Sequence, residues 1–383
     1  MSFEILQTGP GADIGRLEAP WKELQEAGGV SHPMYSWEWV STWWETFGQE
    51  RSLLALVRRE GNQVVTIGAF VRRRARLNRL FSFSRLELMG TGEEERDEVF
   101  SEYVDLPTRP GGFPEAAHRL ADELLDLGGD NEWEDLVLHR VQPDSIVCRA
   151  FRRSAEKRGL SFSYLWVDRS PYVKLPPSLA EYGRGLSSNR RQQIRRGIRA
   201  LERMGKVFFE KAGSVDDALS TLKLLAELHQ RYWRKRGKPG VFSSSRFSSF
   251  HERFIQRTFP LGWPELWTLR VGTEAVACLY NLRLRGNVSF YQSGIRLFDD
   301  NRIRPGMIAH YLAIEEAIET GAKQYDFLLG ESRYKVSLSN AERELVTVRI
   351  SKPSLKETVR RACEAATRRV RNVILVHRDG RTA

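Results

Sequence analysis

Residues 288–335 contain the side chains and the spacing best suited to chemistry. An apolar strand pattern ends in a polar loop that holds Arg302, Arg304 and Gly306, and an apolar helix pattern begins at Met307. The first N–H groups of a helix have no partner within the helix, and its dipole adds partial positive charge at the same end. A strand, a glycine-containing loop and a helix in this order often bind phosphate. The segment therefore predicts a phosphate site, although a plain loop leading into a helix has the same pattern.

Three polar side chains after this helix are candidates for proton transfer. Asp326 interrupts the apolar run QYDFLLG, where burial would favour its neutral form and suit it to accept a proton. Neighbouring N–H groups could equally hold it as a structural carboxylate. Tyr334 and Lys335 follow a short turn at Gly330, and they predict protonation of a leaving group and stabilisation of developing negative charge. Both residue types are also common on protein surfaces.

Aromatic residues supply two further candidates. Tyr291 lies in the strand pattern before the loop, where it could line an acyl channel or belong to the core. Residues 36–47 predict a helix, and one face of it carries a core stripe of large apolar side chains. Trp39 and Trp43 lie on a second face, so Trp39 is a candidate to border a substrate cleft.

The segment 184–206 is a basic helix pattern with eight basic residues and one acidic residue. Arg191, Arg195 and Arg199 are four residues apart, so they share a helix face. This excess of charge predicts binding of a phosphorylated or polyanionic acceptor, with Arg190 and Arg191 as the first candidates. The alternative is a helix whose arginines are simply solvated.

Composition limits the class of protein. A length of 383 residues suits about two domains, and the three cysteines are isolated, which predicts a reducing compartment without a disulfide framework. Neither a bilayer-spanning apolar run nor a secretory leader pattern occurs, so a cytoplasmic location is expected. No metal-ligand spacing is present. The net charge of +11 favours an anionic partner, such as a phosphorylated molecule, a nucleic acid or an acidic membrane surface.

Hydrophobic periodicity predicts an alternation of helices and strands along the whole chain. Helices are predicted at 13–27, 36–47, 114–127, 144–158, 178–204, 214–235, 246–258 and 307–321. Strands are predicted at 51–58, 63–74, 85–89, 101–106, 133–139, 161–168, 206–211, 265–271, 275–284, 288–297 and 324–329.

The hairpin pattern LLALVRREGNQVVTIGAFVRR resembles the later LWTLRVGTEAVACLYNLRLR, and two helical stretches precede each. This repeat predicts two copies of one α/β unit, although any two amphipathic hairpins share part of the pattern. We expect an N-terminal unit at 1–170, a C-terminal unit at 171–351 and a basic helical tail at 352–383. Each unit is expected to be a mixed, mostly antiparallel sheet flanked by helices.

This order of elements resembles the GNAT acyltransferase fold. Residues 180–335 are similar to the cellulose-biosynthesis-type acetyltransferases, and Tyr35–Gly48 resembles the N-terminal region of the same proteins. The residues that carry the resemblance in the C-terminal half are Leu186–Arg191, Arg304–Met307, Glu316, Ala317, Gly321, Tyr325–Gly330, Tyr334 and Lys335. That family is related to the Fem-type peptidyltransferases, which carry two GNAT-like units in one chain.

The loop before the helix departs from the acyl-CoA signature of GNAT proteins, Gln/Arg-x-x-Gly-x-Gly/Ala. With Gly306 aligned to the first glycine of the signature, Ile303 replaces the basic or amide residue and Ile308 replaces the second small residue. Pro305 also lacks an N–H group, although proline suits the first turn of a helix. Arg302 and Arg304 flank the missing position and are expected to substitute for it.

The resemblance implies an N-acetyltransferase of the GNAT type, with acetyl-CoA or another acyl-CoA as donor and no metal. Direct attack by an amine or hydroxyl would need no covalent enzyme intermediate. The implied acceptor is a small or phosphorylated molecule, or a glycan, connected with polysaccharide or envelope synthesis. One alternative is a Fem-type transferase that uses aminoacyl-tRNA, and another is a non-catalytic binding protein. No membrane span is expected, although peripheral membrane contact stays open.

Overall fold

The computed structural model describes residues 3–77, 81–111, 114–127, 133–300, 302–330, 332–354 and 357–361. Cys363 and most of the predicted tail at 352–383 lie outside these ranges. In the described part of the chain, twelve strands and ten α-helices form.

The strands are β1 (Phe3–Thr8), β2 (Ser52–Glu60), β3 (Gln63–Leu77), β4 (Phe81–Leu88), β5 (Asp135–Val141), β6 (Ser161–Lys174), β7 (Val207–Lys211), β8 (Pro264–Val271), β9 (Glu274–Leu284), β10 (Asn287–Ile295), β11 (Gln324–Asp326) and β12 (Ala341–Ser351). The helices are α1 (Glu18–Glu26), α2 (Trp37–Phe47), α3 (Pro114–Leu127), α4 (Ile146–Lys157), α5 (Leu179–Gly185), α6 (Ser188–Glu202), α7 (Val215–Arg234), α8 (Ser245–Thr258), α9 (Pro305–Glu319) and α10 (Arg333–Leu338). Among the helices described, none combines the length and the apolarity needed to span a bilayer.

One twelve-stranded sheet runs through the molecule in the order β1-β2-β3-β4-β5-β12-β6-β11-β10-β9-β8-β7. Strands β1 to β4 pair antiparallel and β4 pairs parallel with β5. Strands β7 to β10 repeat this pattern, and β10 pairs parallel with β11. The predicted mixed, mostly antiparallel α/β fold with two related units is therefore confirmed.

The two halves of the sheet exchange their last strands. β6 follows β5 in the chain but lies beside β11, whereas β12 follows β11 but lies beside β5. β6 and β12 then pair antiparallel with each other at the centre of the sheet. The predicted boundary between residues 170 and 171 falls inside β6, and a division into separate domains stays a prediction.

Three predicted elements differ from the structure, each for a local reason. The helix predicted at 178–204 is divided into α5 and α6, because Leu186 is extended and the Ser187 side chain caps α6 by accepting from the Arg190 N–H. Residues 101–106 form no strand, since Tyr103 has φ of 59°. The strand predicted at 324–329 ends at Asp326, and Leu328 follows in the left-handed region with φ of 56°.

Helix α2 of the N-terminal half packs against α8 of the C-terminal half. The Trp39 ring centroid lies 4.7 Å from that of Phe250 and 4.9 Å from that of Phe254. At the edge of this contact, an Arg257 nitrogen donates to Glu45 at 2.6 Å. Packing of large aromatic side chains therefore joins the two halves on this face of the sheet.

Candidate active site

A cavity of about 1640 Å³ opens along the sheet and is lined by residues of both halves. The N-terminal half contributes Glu102, His139 and Arg140, and the central strands β6 and β12 contribute Trp166, Asp168 and Thr347. The C-terminal half contributes Arg190, Phe290, Tyr291, Arg304, Pro305, Gly306, Met307, His310, Leu328, Leu329, Tyr334 and Lys335. The cavity extends across five neighbouring strands, in the order β5, β12, β6, β11 and β10. At the usual spacing of about 4.8 Å these strands span about 19 Å, which is enough for two ligands side by side.

Divergence of β10 from β11 opens the C-terminal part of the cavity. Their parallel pairing covers only residues 287–289 and 324–326, whereas β10 continues to Ile295. The register of β10 against β9 shifts between Phe290 and Gln292, which leaves Tyr291 as the extra residue of a bulge. A bulge bends its strand locally, so this one accounts for the separation of the two strands.

The N-terminus of α9 faces the cavity without a capping side chain. Six other helices begin with a serine whose side chain accepts a hydrogen bond from the first turn. At α9 the N-cap residue is Arg304, which makes no such bond, and Pro305 follows. The first intrahelical bond is donated by the Ile308 N–H to the Arg304 carbonyl at 3.2 Å. Gly306 and Met307 precede that bond and line the cavity, so their N–H groups suit an anion.

Arg190 and Arg304 bring two guanidinium groups to this end of the cavity. Burial, and then the charge of Arg304, lower the pKa of Arg190. The Arg190 Nε is buried without a hydrogen-bond partner, although another of its nitrogens donates to Gln193 at 2.8 Å. We call Arg190, Arg304, Gly306 and Met307 the donor site. An oxyanion would accept a hydrogen bond from the buried Arg190 Nε–H and would be attracted by the charge of Arg304 as well.

Glu102 and Lys335 are two ionisable residues of the cavity wall. Glu102 is only 5% exposed, and its Oε2 accepts a hydrogen bond from the Leu329 N–H at 2.9 Å. Burial raises the pKa of Glu102 to about 8, well above the usual range for a carboxyl group. The Lys335 ammonium donates to the carbonyls of Phe327 and Leu329 at 2.8 and 2.7 Å, and burial lowers its pKa.

Tyr334 and His310 form one wall beside this pair. Their rings stack with centroids 5.3 Å apart, and burial raises the pKa of Tyr334 to about 12. Burial lowers the pKa of His310 to about 3, and its Nδ1 lies 3.0 Å from the Tyr325 hydroxyl. At neutral pH, Tyr334 is therefore a protonated hydroxyl and His310 a neutral imidazole.

Asp326 lies close to this centre but does not line the cavity. Its Oδ1 accepts from the Ser170 hydroxyl at 3.0 Å and from the Leu328 N–H at 2.8 Å. Its Oδ2 accepts from the Tyr103 hydroxyl at 2.9 Å, and a nitrogen of Arg343 is 3.7 Å away. The carboxylate thus connects both halves of the sheet and has its acceptor positions filled.

The other predicted site residues take different positions. Arg302 points to the surface, where it pairs with Asp300 at 2.8 Å and does not line the cavity. Arg191 donates to the Gly183 carbonyl at 3.2 Å, near the end of α5. Trp39 is fully buried in the contact between α2 and α8, and its Nε1 donates to Ser101 at 2.9 Å.

Tyr291 lines the cavity from the bulge of β10. Its hydroxyl donates to the Val99 carbonyl at 2.6 Å and lies 2.8 Å from the His251 Nε2. Burial raises the pKa of Tyr291 well above its ordinary value. The structure therefore brings Tyr291, Tyr334, Lys335 and the donor site to one cavity, and it leaves Asp326, Arg302, Arg191 and Trp39 outside.

Sequence reasoning missed Glu102. It lies in the run FSEYVDL, which has the alternation of a strand and no motif that would mark an ionisable residue. The structure nevertheless shows non-glycine residues at positive φ on both sides of it, Phe100 at 48° and Tyr103 at 59°. Arg140 and Leu328, at 49° and 56°, also border the cavity. Such backbone strain is concentrated at functional sites, but it leaves no trace in a single sequence.

In the described residues, no cluster of histidine, cysteine and acidic side chains could hold a metal ion. Residues 188–336 match the family model described as an acetyltransferase (GNAT) domain. That range holds the donor site together with Tyr334 and Lys335, whereas Glu102 lies outside it. A comparison with curated proteins finds no match.

Solved structures with the same fold include FemX, with a TM-score of 0.56 and 10% identity over 85% of this chain and 95% of that one. L-PGS from Bacillus licheniformis has a TM-score of 0.51 and 15% identity over 91% and 96% of the two chains. The C-terminal domain of a putative lysylphosphatidylglycerol synthetase from Agrobacterium fabrum has a TM-score of 0.52 and 9% identity over 91% and 95%. At these identities the likeness concerns the fold, and it extends over both halves of the chain.

Proposed function

We propose that this protein is an acyltransferase that moves an acetyl or other acyl group from acyl coenzyme A to an amine or a hydroxyl. The observation that carries the proposal is one cavity that is lined both by a buried carboxyl group, Glu102, and by a helix N-terminus with arginines beside it. The match of residues 188–336 to a GNAT acetyltransferase domain supports the same chemistry.

The donor site would hold the phosphate groups of the acyl carrier. The free N–H groups of Gly306 and Met307 provide directed donors, and Arg190 and Arg304 provide charge. The donor site and Glu102 line the same cavity, so the acyl group would extend from one toward the other. Acyl coenzyme A supplies the acyl group as a thioester, which an amine attacks directly when both are held close together.

Glu102 would act as the general base. An attacking amine or hydroxyl must lose a proton, and a base works best when its pKa is close to the working pH. Burial brings the pKa of Glu102 to about 8 and so satisfies this condition. The Leu329 N–H fixes one carboxylate oxygen at 2.9 Å, which leaves the other oxygen to receive the proton.

Tyr334 would protonate the departing thiolate, since its hydroxyl is protonated at neutral pH and lines the cavity. Lys335 would position the turn at 327–329 and add positive charge near the reacting carbonyl. Asp326, which sequence reasoning selected as the base, becomes a positioning residue in this proposal, because its oxygens are occupied by Ser170, Tyr103 and Leu328.

A second candidate donor is aminoacyl-tRNA, as in the Fem-type transferases. Arg195, Arg199 and Arg203 of the α6 surface are exposed, and no ion pair of theirs is found within the described residues. Helix α6 also carries Arg190 of the donor site, so a long polyanion could extend from the cavity along this helix. A basic surface of this kind predicts tRNA binding with a steep dependence on salt.

The acceptor is proposed to be a small molecule or glycan of polysaccharide or envelope synthesis, with the reaction in the cytoplasm. The acceptor class rests on the resemblance in sequence, and the location rests on the isolated cysteines, which suit a reducing compartment.

Release of free thiol from acetyl-CoA in the presence of amines and alcohols tests the proposed activity. We expect thiol release that depends on the acceptor and that Glu102→Gln reduces about 100-fold or more. A protein that binds bulk tRNA but neither binds nor consumes acetyl-CoA would favour the second donor. A folded protein that binds neither would favour the non-catalytic alternative.

A further inference from the structure

Trp166 differs from the other tryptophans of this chain. Eight of the ten tryptophans are buried and Trp233 is partly buried, but 64% of Trp166 is exposed, on the cavity wall. A large aromatic face in contact with water is costly to maintain and is typical of a binding surface. It lies on β6, where it pairs with Thr347 of the neighbouring strand β12.

A bulge directs this part of β6 toward the cavity. Thr347 of β12 pairs with Trp166 and Val348 pairs with Tyr164, so Leu165 is the extra residue between them. Asp168 follows two residues after Trp166 and therefore points to the same side of the strand. Both residues line the cavity, and Asp168 is one of the charges that act on Lys335.

The Asp168 carboxylate has no cationic partner within 4.0 Å among the described residues. Within the described residues, this carboxylate accepts one hydrogen bond, which the Arg169 N–H donates to Oδ1 at 2.8 Å. Several neighbouring side chains at this end of the cavity do have partners. Arg85 pairs with Asp135 at 2.8 Å, Arg140 pairs with Glu98 at 2.7 Å, and the His139 Nε2 lies 3.0 Å from Glu87.

An exposed indole face beside a carboxylate attracts an organic cation, because the ring quadrupole and the negative charge act together. We propose that Trp166 and Asp168 form the subsite that binds the acceptor, a primary amine in its ammonium form. This inference rests on the proposed function, and it selects an amine over a hydroxyl, which would gain little from either group. Glu102 lies in the same cavity to receive the proton that the amine must lose.

The charge of the residues that line the cavity predicts the order in which donor and acceptor bind. Ten arginine or lysine residues and three acidic residues line the cavity in the described part of the chain, and four of the ten (Arg85, Arg96, Arg140 and Arg296) pair with acidic residues outside the lining. The remaining excess of positive charge disfavours a cation, whereas a donor that carries several phosphate groups compensates this charge. The ammonium group is expected to bind well only after the donor.

Glucosamine and glucose provide a matched pair of probes, since they differ in one amine that replaces a hydroxyl. Intrinsic tryptophan fluorescence would be titrated with each sugar, with and without coenzyme A, at a pH where the amine is protonated. Trp166→Phe removes the reporter, Trp233→Phe is the matched control, and Asp168→Asn removes the charge without changing the size. Thermal unfolding checks that each variant is folded.

We expect glucosamine, and not glucose, to change the fluorescence, more strongly with coenzyme A present. Trp166→Phe should abolish the change, Trp233→Phe should keep it, and Asp168→Asn should weaken binding about 10-fold. An equal response to both sugars, or a response unaffected by Asp168→Asn, would overturn the inference. Calorimetry of coenzyme A alone separates the two proposals. If the protein binds coenzyme A but not the amine, the proposed donor chemistry stands and only the amine subsite is overturned.

Discussion

Glu102 and Lys335 are connected through a single residue, Leu329. The Leu329 N–H donates to the Glu102 Oε2 at 2.9 Å, and the Leu329 carbonyl accepts from the Lys335 Nζ at 2.7 Å. One side chain comes from each half of the chain, and the strand exchange between β6 and β12 holds these halves together. The proposed reactive centre therefore forms only when both halves are assembled.

Activity should depend on pH through Glu102. A base must be deprotonated to act, and burial raises the pKa of Glu102 to about 8. We therefore expect the rate at saturating substrates to rise with pH and to level off above about 8. A pH profile of thiol release would measure this. Glu102→Gln should remove the rise, and a wild-type profile that is flat between pH 6 and pH 9, roughly the range around that value, would contradict the assignment.

Glu102 should also make the stability of the fold depend on pH, but stability should fall with rising pH where activity rises. Because the folded-state pKa of Glu102 is raised, the folded state holds this proton more tightly than the unfolded state does. The contribution is favourable below the unfolded pKa and is lost as pH rises through the folded value. Glu102→Gln should therefore make the free energy of unfolding less dependent on pH between about 5 and 8, as measured by denaturant titration. No change in that dependence would argue against a raised pKa.

Lys335→Met should destabilise the fold as well as reduce activity. Without the ammonium group, the buried carbonyls of Phe327 and Leu329 lose their donor. We expect a loss of about 1–3 kcal/mol in the free energy of unfolding, measured with urea. Lys223→Met on the exposed side of α7 is the matched control and should change stability by less than about 0.5 kcal/mol. Equal effects of both changes would show that Lys335 does not hold the turn.

Asp326→Asn separates a positioning role from a catalytic one. The amide cannot accept all the bonds that Ser170, Tyr103 and Leu328 donate to the carboxylate. We expect a lower melting temperature and a loss of about 1–3 kcal/mol, while the affinity for acetyl-CoA changes little once the protein is folded. If the variant keeps full stability but loses all turnover, Asp326 is the base and Glu102 is not.

Much of the fold could be predicted from the sequence, because periodicity reports which side of each element is buried. The hairpins, most helices and the helix that begins near Gly306 were predicted in this way. The sequence could not predict the exchange of β6 and β12, since pairing across the sheet depends on contacts far apart in the chain. It also could not identify Glu102, which is buried and accepts a hydrogen bond from Leu329 of the other half. Asp326 was predicted to be buried, but the donors that fill its oxygens come from distant strands and loops.

The most direct test of the account is calorimetry of acetyl-CoA binding to the wild-type protein and to three arginine variants. Arg190→Ala and Arg304→Ala change the donor site, whereas Arg302→Ala changes a neighbouring arginine that pairs with Asp300 at the surface. The account predicts that the wild-type protein binds acetyl-CoA, that each donor-site change weakens binding about 10-fold, and that Arg302→Ala changes it less than about twofold. Absence of binding to the folded wild-type protein, or equal effects of all three changes, would contradict it.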